Sequence, residues 1–169
     1  TRKFKTATVK VTLRRNLTPQ EASANACIPF VLRRGSRQFP TSRDIARFLE
    51  HLYGAQLAVD SVKVGETQVL DFTLEVAEPS FLGVSESPLR EGLRFLGDLL
   101  LHPQQEGEGF RAQVLAQEVE GLCRRIEGVI NDKPQYALER LRQAMCHDEP
   151  YGLHRYGTVE SLQALTPRD

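Results

Sequence analysis

The sequence is poor in several residue types, and each shortage limits what the protein is. Its 169 residues include no tryptophan, one methionine and three cysteines. Cys27, Cys123 and Cys146 are odd in number and far apart, which favours reduced thiols in the cytoplasm over a disulfide framework. The 22 basic and 22 acidic residues cancel, so no net field attracts nucleic acid or an anionic membrane. No apolar run approaches the roughly 20 residues of a membrane helix. These shortages indicate a soluble, globular, cytoplasmic protein with no nucleic-acid or membrane partner.

Hydrophobic periodicity predicts strands and helices in an order typical of α+β domains. Alternation predicts strands at residues 6–13, 56–64 and 67–76, with a tight turn at Gly65-Glu66 between the last two. A loop is expected at residues 79–86. Capping residues and helical spacing predict helices that begin near Thr18, Thr41 or Ser42, Ser87, Phe110, Pro134 and Val159. We therefore expect an antiparallel or mixed sheet with helices packed on one face.

Leucine-rich stripes predict which helix faces are buried. The helix that opens at Thr18 is expected to run to about Arg34, with its apolar residues mainly on one side and Pro29 as a misfit in its middle. For the three longer helices that follow the hairpin, the expected inner stripes are Leu89, Leu93, Leu96 and Leu100, then Val119, Leu122, Ile126 and Val129, then Ala137, Leu141 and Met145.

The stretch "ARFLEHLYG" almost spells the inverted zinc motif H-x-x-E-H, in which two histidines bind the metal and the glutamate is the general base. Glu50 and His51 are present, but Arg47 stands where the first histidine belongs. A guanidinium stays protonated and has no lone pair for zinc. The stretch therefore indicates an amphipathic helix with these three residues on its wet face.

Two other stretches are rich in polar side chains that occur in metal or binding sites. The stretch "MCHDEPYGLH" carries Cys146, His147, Asp148 and His154, but none of them is spaced as metal ligands usually are, and Pro150 and Gly152 favour a solvated loop. In "NDKPQYALER", Asn131 or Asp132 can cap a helix. The alternative for that stretch is a polar cluster that faces a chamber or a partner.

The ordered set of segments resembles the pitrilysin-type zinc metallopeptidases, the group of insulin-degrading enzyme and mitochondrial processing peptidase. The segments that carry the resemblance are "FKTATVKVTLRRNL", "PFVLRRGS", "IARFLEHLYGAQLAVDSVKVGETQVLDF", "NDKPQYALERL" and "HDEPYGLHRYGTVESLQALT". The sequence is most similar to a bacterial subgroup that lacks the zinc motif. The resemblance implies a pitrilysin-like α+β fold, with residues 1–169 forming a single N-terminal domain that is truncated at both ends of the family domain.

The resemblance also implies where the family's zinc ligands would fall. The family's motif lies in the helix that precedes a Gly-Ser/Thr element, here Gly35-Ser36. Its two histidines then correspond to Ala26 and Phe30, and its glutamate corresponds to Pro29. The third ligand lies seven residues after an acidic residue that Glu118 matches, which places Arg125 at the ligand position. The resemblance thus implies a degenerate site at Ala26, Pro29, Phe30 and Arg125, with no catalytic residue and no bound metal.

By resemblance, the expected function is that of a non-catalytic subunit, or half, of a zinc-peptidase assembly. Family members are built from repeated domains that enclose a peptide chamber, and a subunit without zinc can help a partner that carries H-x-x-E-H. We therefore expect peptide substrates, a homo- or hetero-oligomer with a related peptidase subunit, and zinc only in a catalytic partner. The alternatives are an active zinc metallopeptidase whose ligands are out of register, or a pure interaction protein.

Overall fold

A computed structural model describes residues 3–83 and 87–169, so the end of the predicted loop, residues 84–86, lies outside the described residues. The strands are β1 (Thr6–Asn16), β2 (Gln56–Val64), β3 (Thr67–Ala77), β4 (Gln105–Glu106) and β5 (Gly109–Phe110). The helices are α1 (Ala22–Leu32), α2 (Ser42–His51), α3 (Pro79–Leu82), α4 (Pro88–Leu101), α5 (Ala112–Gly128), α6 (Lys133–Met145) and α7 (Val159–Gln163). Short 3₁₀ helices occupy Val129–Asn131 and Pro150–Gly152.

The main sheet has three strands in the order β1-β3-β2, so β1 and β2 are its edge strands. The amide of Leu17 donates to the carbonyl of Glu66 over 2.9 Å, and the amide of Glu78 donates to the carbonyl of Lys5 over 2.9 Å. One end of β1 thus meets the start of β3 and its other end meets the end of β3, which is antiparallel pairing. Strands β4 and β5 form a separate small hairpin. The predicted α+β class with an antiparallel sheet is confirmed.

The central strand β3 provides the most deeply buried part of the sheet. The face predicted from alternation is buried along its whole length, at Gln68, Leu70, Phe72, Leu74 and Val76. The edge strand β1 alternates between exposed and half-buried residues instead. This difference follows from position, because a central strand has a neighbour on both sides.

The chain divides into two compact units, and each strand of the main sheet contributes residues to both. The first unit comprises residues 1–12, 32–59 and 71–104. Three rings pack together there: the half-buried Phe39 and Phe48 have centroids 4.7 Å apart, and Phe48 stacks on the buried Phe95 with centroids 5.0 Å apart. Helix α4 packs close to β3 at Gly92, where any side chain would meet Leu74.

The second unit comprises residues 13–31, 60–70 and 105–169. Helix α1 is its central element and is buried on several sides, because Ala22, Ser23, Asn25, Ala26, Cys27, Pro29, Phe30 and Val31 are all buried. The expectation that its apolar residues lie mainly on one side was therefore wrong. A helix that is buried on several sides no longer shows a clear polar face in its sequence.

The predicted inner stripes of the later helices need correction. On α4, Leu93 is 50% exposed, and the buried face instead carries Gly92, Phe95, Leu96 and Leu99. On α5 the buried residues are Leu115, Glu118, Leu122 and Cys123. On α6, Leu141 is 53% exposed and Met145 is 73% exposed, and the buried residue is Glu139. Helical spacing finds a stripe, but a rotation of one position around the helix changes which residues face inward.

Candidate functional site

Helix α1 carries the three positions at which the resemblance places the zinc motif. Ala26 is fully buried, Phe30 is 1% exposed, and Pro29 between them is also buried. Ala26 and Phe30 are four residues apart, so they lie on one face of the helix. Methyl, pyrrolidine and phenyl groups have no lone pair for a metal and no proton to transfer. These side chains do not fit zinc.

The fourth position, Arg125, lies against one of the other three. Its guanidinium carbon is 4.7 Å from the centroid of the Phe30 ring. This is cation–π geometry, in which the negative face of the ring attracts the positive charge. The fold of the second unit thus brings together two residues that are 95 positions apart along the chain, as the resemblance requires for a shared site. A guanidinium cannot be a zinc ligand.

Tyr156 joins this pair and was not found by sequence reasoning. Its ring meets that of Phe30 edge to face, with centroids 6.2 Å apart. Its hydroxyl donates a hydrogen bond to Oδ1 of Asp60 over 3.3 Å. Burial raises the pKa of this hydroxyl, and the nearby positive charges of Arg155 and Arg125 oppose that rise. Asp60 lies on β2. In the sequence, the alternation of this strand changes face near Asp60-Ser61, which was the one available signal.

A second guanidinium belongs to the same group. The guanidinium carbon of Arg155 lies 4.5 Å from the centroid of the Tyr156 ring, and its Nη1 lies 3.5 Å from Oδ2 of Asp60. We call Phe30, Asp60, Arg125, Arg155 and Tyr156 the arginine–aromatic cluster. It contains two guanidinium groups and one carboxylate, so its side chains carry one net positive charge.

Buried hydrogen bonds hold the backbone of the cluster in place. Gln68 is fully buried on β3, and its Nε2 donates to the carbonyl of Ala22 over 2.8 Å and to that of Arg155 over 3.0 Å. The Ser23 hydroxyl donates to the carbonyl of Tyr156 over 3.3 Å. These bonds join α1, β3 and the 155–156 segment, so the guanidinium of Arg155 projects from a fixed backbone. Burial raises the pKa of Tyr156, which keeps its hydroxyl neutral and able to donate.

Glu118 matches the acidic residue that lies seven positions before the family's third ligand, and it is buried on α5. Near it, burial raises the pKa of the Cys27 thiol to about 12, with smaller contributions from the negative charges of Glu118 and Cys123. A thiol with so high a pKa has almost no thiolate at neutral pH and is a poor nucleophile. Cys27 is therefore a packing residue in this unit.

The stretch "MCHDEPYGLH" is anchored by a lysine from β2. Nζ of Lys63 donates to the carbonyls of Tyr151, over 2.7 Å, and Leu153, over 2.6 Å. It also lies 4.7 Å from the centroid of the Tyr151 ring. Part of the predicted loop is thus a short 3₁₀ helix, Pro150–Gly152, whose middle residue and following residue are bonded to β2. Desolvation lowers the pKa of Lys63.

The polar side chains of that stretch make separate contacts and do not form one site. His147 and Asp148 form an exposed pair, with Nε2 2.8 Å from Oδ2. Burial lowers the pKa of His154, and its Nδ1 accepts a hydrogen bond from the Tyr156 amide over 3.2 Å. Within residues 3–83 and 87–169, no group of three or more His, Cys, Asp or Glu side chains is arranged to hold a metal ion.

The other two polar stretches have structural roles. In "ARFLEHLYG", Nδ1 of His51 donates to the Arg47 carbonyl on its own helix over 2.7 Å. In "NDKPQYALER", Asp132 caps α6, and its carboxylate accepts from the Gln135 amide over 3.1 Å. The helix-cap interpretation of Asp132 is confirmed.

The chain is similar to proteins described as inactive peptidases. It is 35% identical over 166 residues to YmfF of Bacillus subtilis (strain 168), which is described as a probable inactive metalloprotease. The matched region covers 98% of this chain and 39% of that protein. No protein-family model matches the sequence.

Two solved structures share the fold. A conserved protein from Enterococcus faecalis V583 superposes with a TM-score of 0.89 at 22% identity, over 98% of this chain and 39% of that one. A peptidase M16 inactive domain from Pseudomonas fluorescens gives a TM-score of 0.68 at 16% identity, over 94% of this chain and 35% of that one. The fold is thus that of a metallopeptidase-like domain.

The resemblance inferred from the sequence is confirmed: the chain belongs to the pitrilysin-type (M16) metallopeptidases and is related to members described as inactive. It spans 39% of the length of its curated relative. In the part of the chain that the structure describes, no helix combines the length and apolar character needed to cross a membrane.

Proposed function

We propose that this chain is a non-catalytic part of a zinc-peptidase-like assembly, in which it binds peptide and supports proteolysis by a partner that carries H-x-x-E-H. The observation that carries the proposal is the contact between Arg125 and Phe30. Two positions that the resemblance assigns to zinc ligands touch each other as a cation and an aromatic ring. Such a pair occupies the space of a metal site and leaves no ligand for the metal.

Peptide binding is supported by the edges of the main sheet. In the residues that the structure describes, β1 and β2 each pair with β3 alone. An unpaired edge presents backbone amides and carbonyls to which an extended peptide can add as a further strand. We propose this mode of substrate binding for the assembly, with the partner supplying zinc and the general base.

The curated relative supports the non-catalytic, peptidase-like part of this proposal. YmfF is described as a probable inactive metalloprotease, which fits a peptidase-like protein that does no chemistry of its own. Because the chain spans only part of its relatives, we propose that residues 1–169 act as a single N-terminal domain within a longer homo- or hetero-oligomeric protein. We also propose a cytoplasmic location, which is consistent with three free cysteines.

An active metallopeptidase with ligands in another register is the second candidate. It would have to use His51, His147 or His154, since the remaining histidine, His102, ends α4 beside Asp98. His51 is bonded to its own helix, and His147 is paired with Asp148. His154 uses its Nδ1 to accept from a backbone amide. These contacts favour the non-catalytic function.

Metal content is the first test of the proposal. The full-length protein would be purified without chelator, and its zinc would be counted by native mass spectrometry. We expect well below one zinc per chain, because the donor set is absent at the family position. One firmly bound zinc per chain would overturn the non-catalytic proposal.

The supporting role needs a reconstitution test. A homologous subunit that contains H-x-x-E-H would be assayed on a quenched-fluorescence peptide, alone and with this protein in its full-length form. We expect peptide cleavage to rise when the two are mixed, and we expect them to elute together from a sizing column. Cleavage that is unchanged, with no co-elution, would instead support an interaction protein without a peptidase partner.

A further inference from the structure

We propose that the arginine–aromatic cluster binds a carboxylate of the peptide, so that the site beside β2 prefers acidic peptides. This inference rests on the proposed binding of peptides at the sheet edge, and it names the substrate class. The cluster has no assigned role, and the loss of the zinc ligands does not by itself require a cationic replacement.

The first observation is the state of Arg125. Its side chain is exposed, although it lies over the buried ring of Phe30. Among the described residues, no carboxylate oxygen lies within 4 Å of its guanidinium nitrogens, and its charge faces the Phe30 ring at 4.7 Å. A guanidinium has five N–H donors, so most of them face solvent. An arginine fixed by ring stacking, with free donors, is already arranged to receive an anion.

Arg155 provides the second guanidinium. It lies over the Tyr156 ring and shares Asp60 with the hydroxyl of that tyrosine. Asp60 offsets one of the two arginine charges and leaves the other without a counter-charge inside the cluster. Both guanidinium groups lie on rings that contact each other. Stacked arginines lose less side-chain freedom on binding than free ones, which favours recognition of planar carboxylates.

The third observation is the position of the cluster beside the edge strand. Asp60 belongs to β2, and it links Tyr156 and Arg155 to the half of that strand that runs from Asp60 to Val64. A peptide that pairs with this half would place alternate side chains on the same face of the sheet as Asp60. An acidic side chain there would lie within reach of the arginines. A C-terminal carboxylate has the same chemistry and is the other possible source.

The test compares four labelled decapeptides that bind to the full-length protein. Each is built from alternating valine and serine with a fluorescein at its N-terminus. Three of them have an amidated C-terminus and carry glutamate, aspartate or glutamine at the central position. The fourth has the central glutamine and a free C-terminal carboxylate. Fluorescence anisotropy gives the dissociation constant of each.

Two protein variants locate the effect. Arg125→Gln removes the guanidinium that is proposed to bind the peptide carboxylate. Arg124→Gln is the matched control, because Arg124 is the neighbouring arginine of α5 and is also exposed. Its guanidinium lies 3.6 Å from the carboxylate of Glu120. Both residues line a groove of about 550 Å³ between α5 and α7, outside the arginine–aromatic cluster. Thermal unfolding of both variants checks that the fold is retained.

For the wild-type protein, we expect the glutamate and aspartate peptides to bind about tenfold more tightly than the amidated glutamine peptide, as charge-assisted hydrogen bonds do. Arg125→Gln should remove this preference, and Arg124→Gln should keep it. If the free C-terminal carboxylate gives the larger gain, the source is the peptide terminus and the carboxylate proposal still stands.

Three results would overturn the inference. Equal binding of all four peptides would mean that peptide capture is real but indifferent to charge. A preference that survives in Arg125→Gln would place the cation elsewhere. Failure of every peptide to bind would remove the peptide-binding function itself, and the carboxylate site with it.

Discussion

The guanidinium carbon of Arg125 lies 4.7 Å from the centre of the Phe30 ring. Arg125 is on α5 and Phe30 is on α1, and the resemblance assigns both to the zinc centre of a pitrilysin-type peptidase. Where the family has two zinc ligands, this chain has an aromatic ring and a guanidinium cation. The contact is therefore compatible with a packed second unit but not with a metal centre at the same place.

Phe30 should be important for stability. Its ring is buried, meets Tyr156 edge to face and lies under Arg125. Phe30→Ala would leave a cavity and remove the surface on which the guanidinium rests, so we expect a loss of about 3–5 kcal/mol in the free energy of unfolding. Urea unfolding followed by circular dichroism measures it.

The control for this substitution is Phe81→Ala. Phe81 is 50% exposed, so its loss should change the free energy of unfolding by about 0.5 kcal/mol or less. Similar losses for the two variants would show that Phe30 is not a core residue.

Gly157 should not tolerate a side chain. Its φ of 74° is in the left-handed region, and an added Cβ would overlap the Ser23 hydroxyl. Both effects act on the residue next to Tyr156. Gly157→Ala should therefore destabilise the protein by about 2 kcal/mol or more in urea unfolding.

Gly128→Ala is the matched control for Gly157→Ala. Gly128 has helical backbone angles and no atom within 4 Å of an added Cβ, so alanine should be neutral or should stabilise by up to about 1 kcal/mol. A large loss in this variant would contradict the helical backbone and the open space at the end of α5.

His154 should make stability depend on pH. Burial lowers its pKa from the ordinary value of 6.5, so the unfolded chain binds a proton more readily than the folded chain in the interval between the two values. The contribution to stability is therefore fully present above 6.5 and is lost as the pH falls through the lowered pKa. Protonation at Nδ1 would also break the bond from the Tyr156 amide.

The measurement for His154 is the urea midpoint at pH 7 and pH 5. The midpoint of the wild-type protein should fall further on acidification than that of His154→Asn. His147→Asn is the control, because His147 is exposed beside Asp148. If the His154 and His147 variants respond to pH alike, the lowered pKa of His154 has no effect on folding.

The three cysteines should differ in reactivity. Cys27 and Cys123 are buried and burial raises the pKa of both thiols, whereas Cys146 is partly exposed. A thiol-specific chromogenic disulfide added at pH 8 should label one cysteine quickly and the other two only after denaturation. Cys146→Ser should abolish the fast phase. A fast phase that persists in this variant would mean that one of the buried thiols becomes accessible.

The sequence by itself determined the local structure of this protein. Alternation identified the buried face of β3, because the period of two in a strand is unaffected by what lies farther along the chain. The caps at Thr41 and Asp132 were also readable, because a cap involves residues only three positions apart. The resemblance assigned Ala26, Pro29, Phe30 and Arg125 to one place in the family fold, and nothing in composition or spacing alone would have done so.

Tertiary structure alone decided which helix faces are inside and what surrounds Arg125. The stripe through Leu141 and Met145 has helical spacing, yet it is exposed, because burial depends on what packs against a helix and not on its own period. Asp60, Arg155 and Tyr156 gave almost no signal, since they come from a strand and a distant loop. They meet because Gln68 and Ser23 fix the backbone of that loop against β3 and α1. Contacts between residues so far apart in sequence are set by the packing of the whole unit.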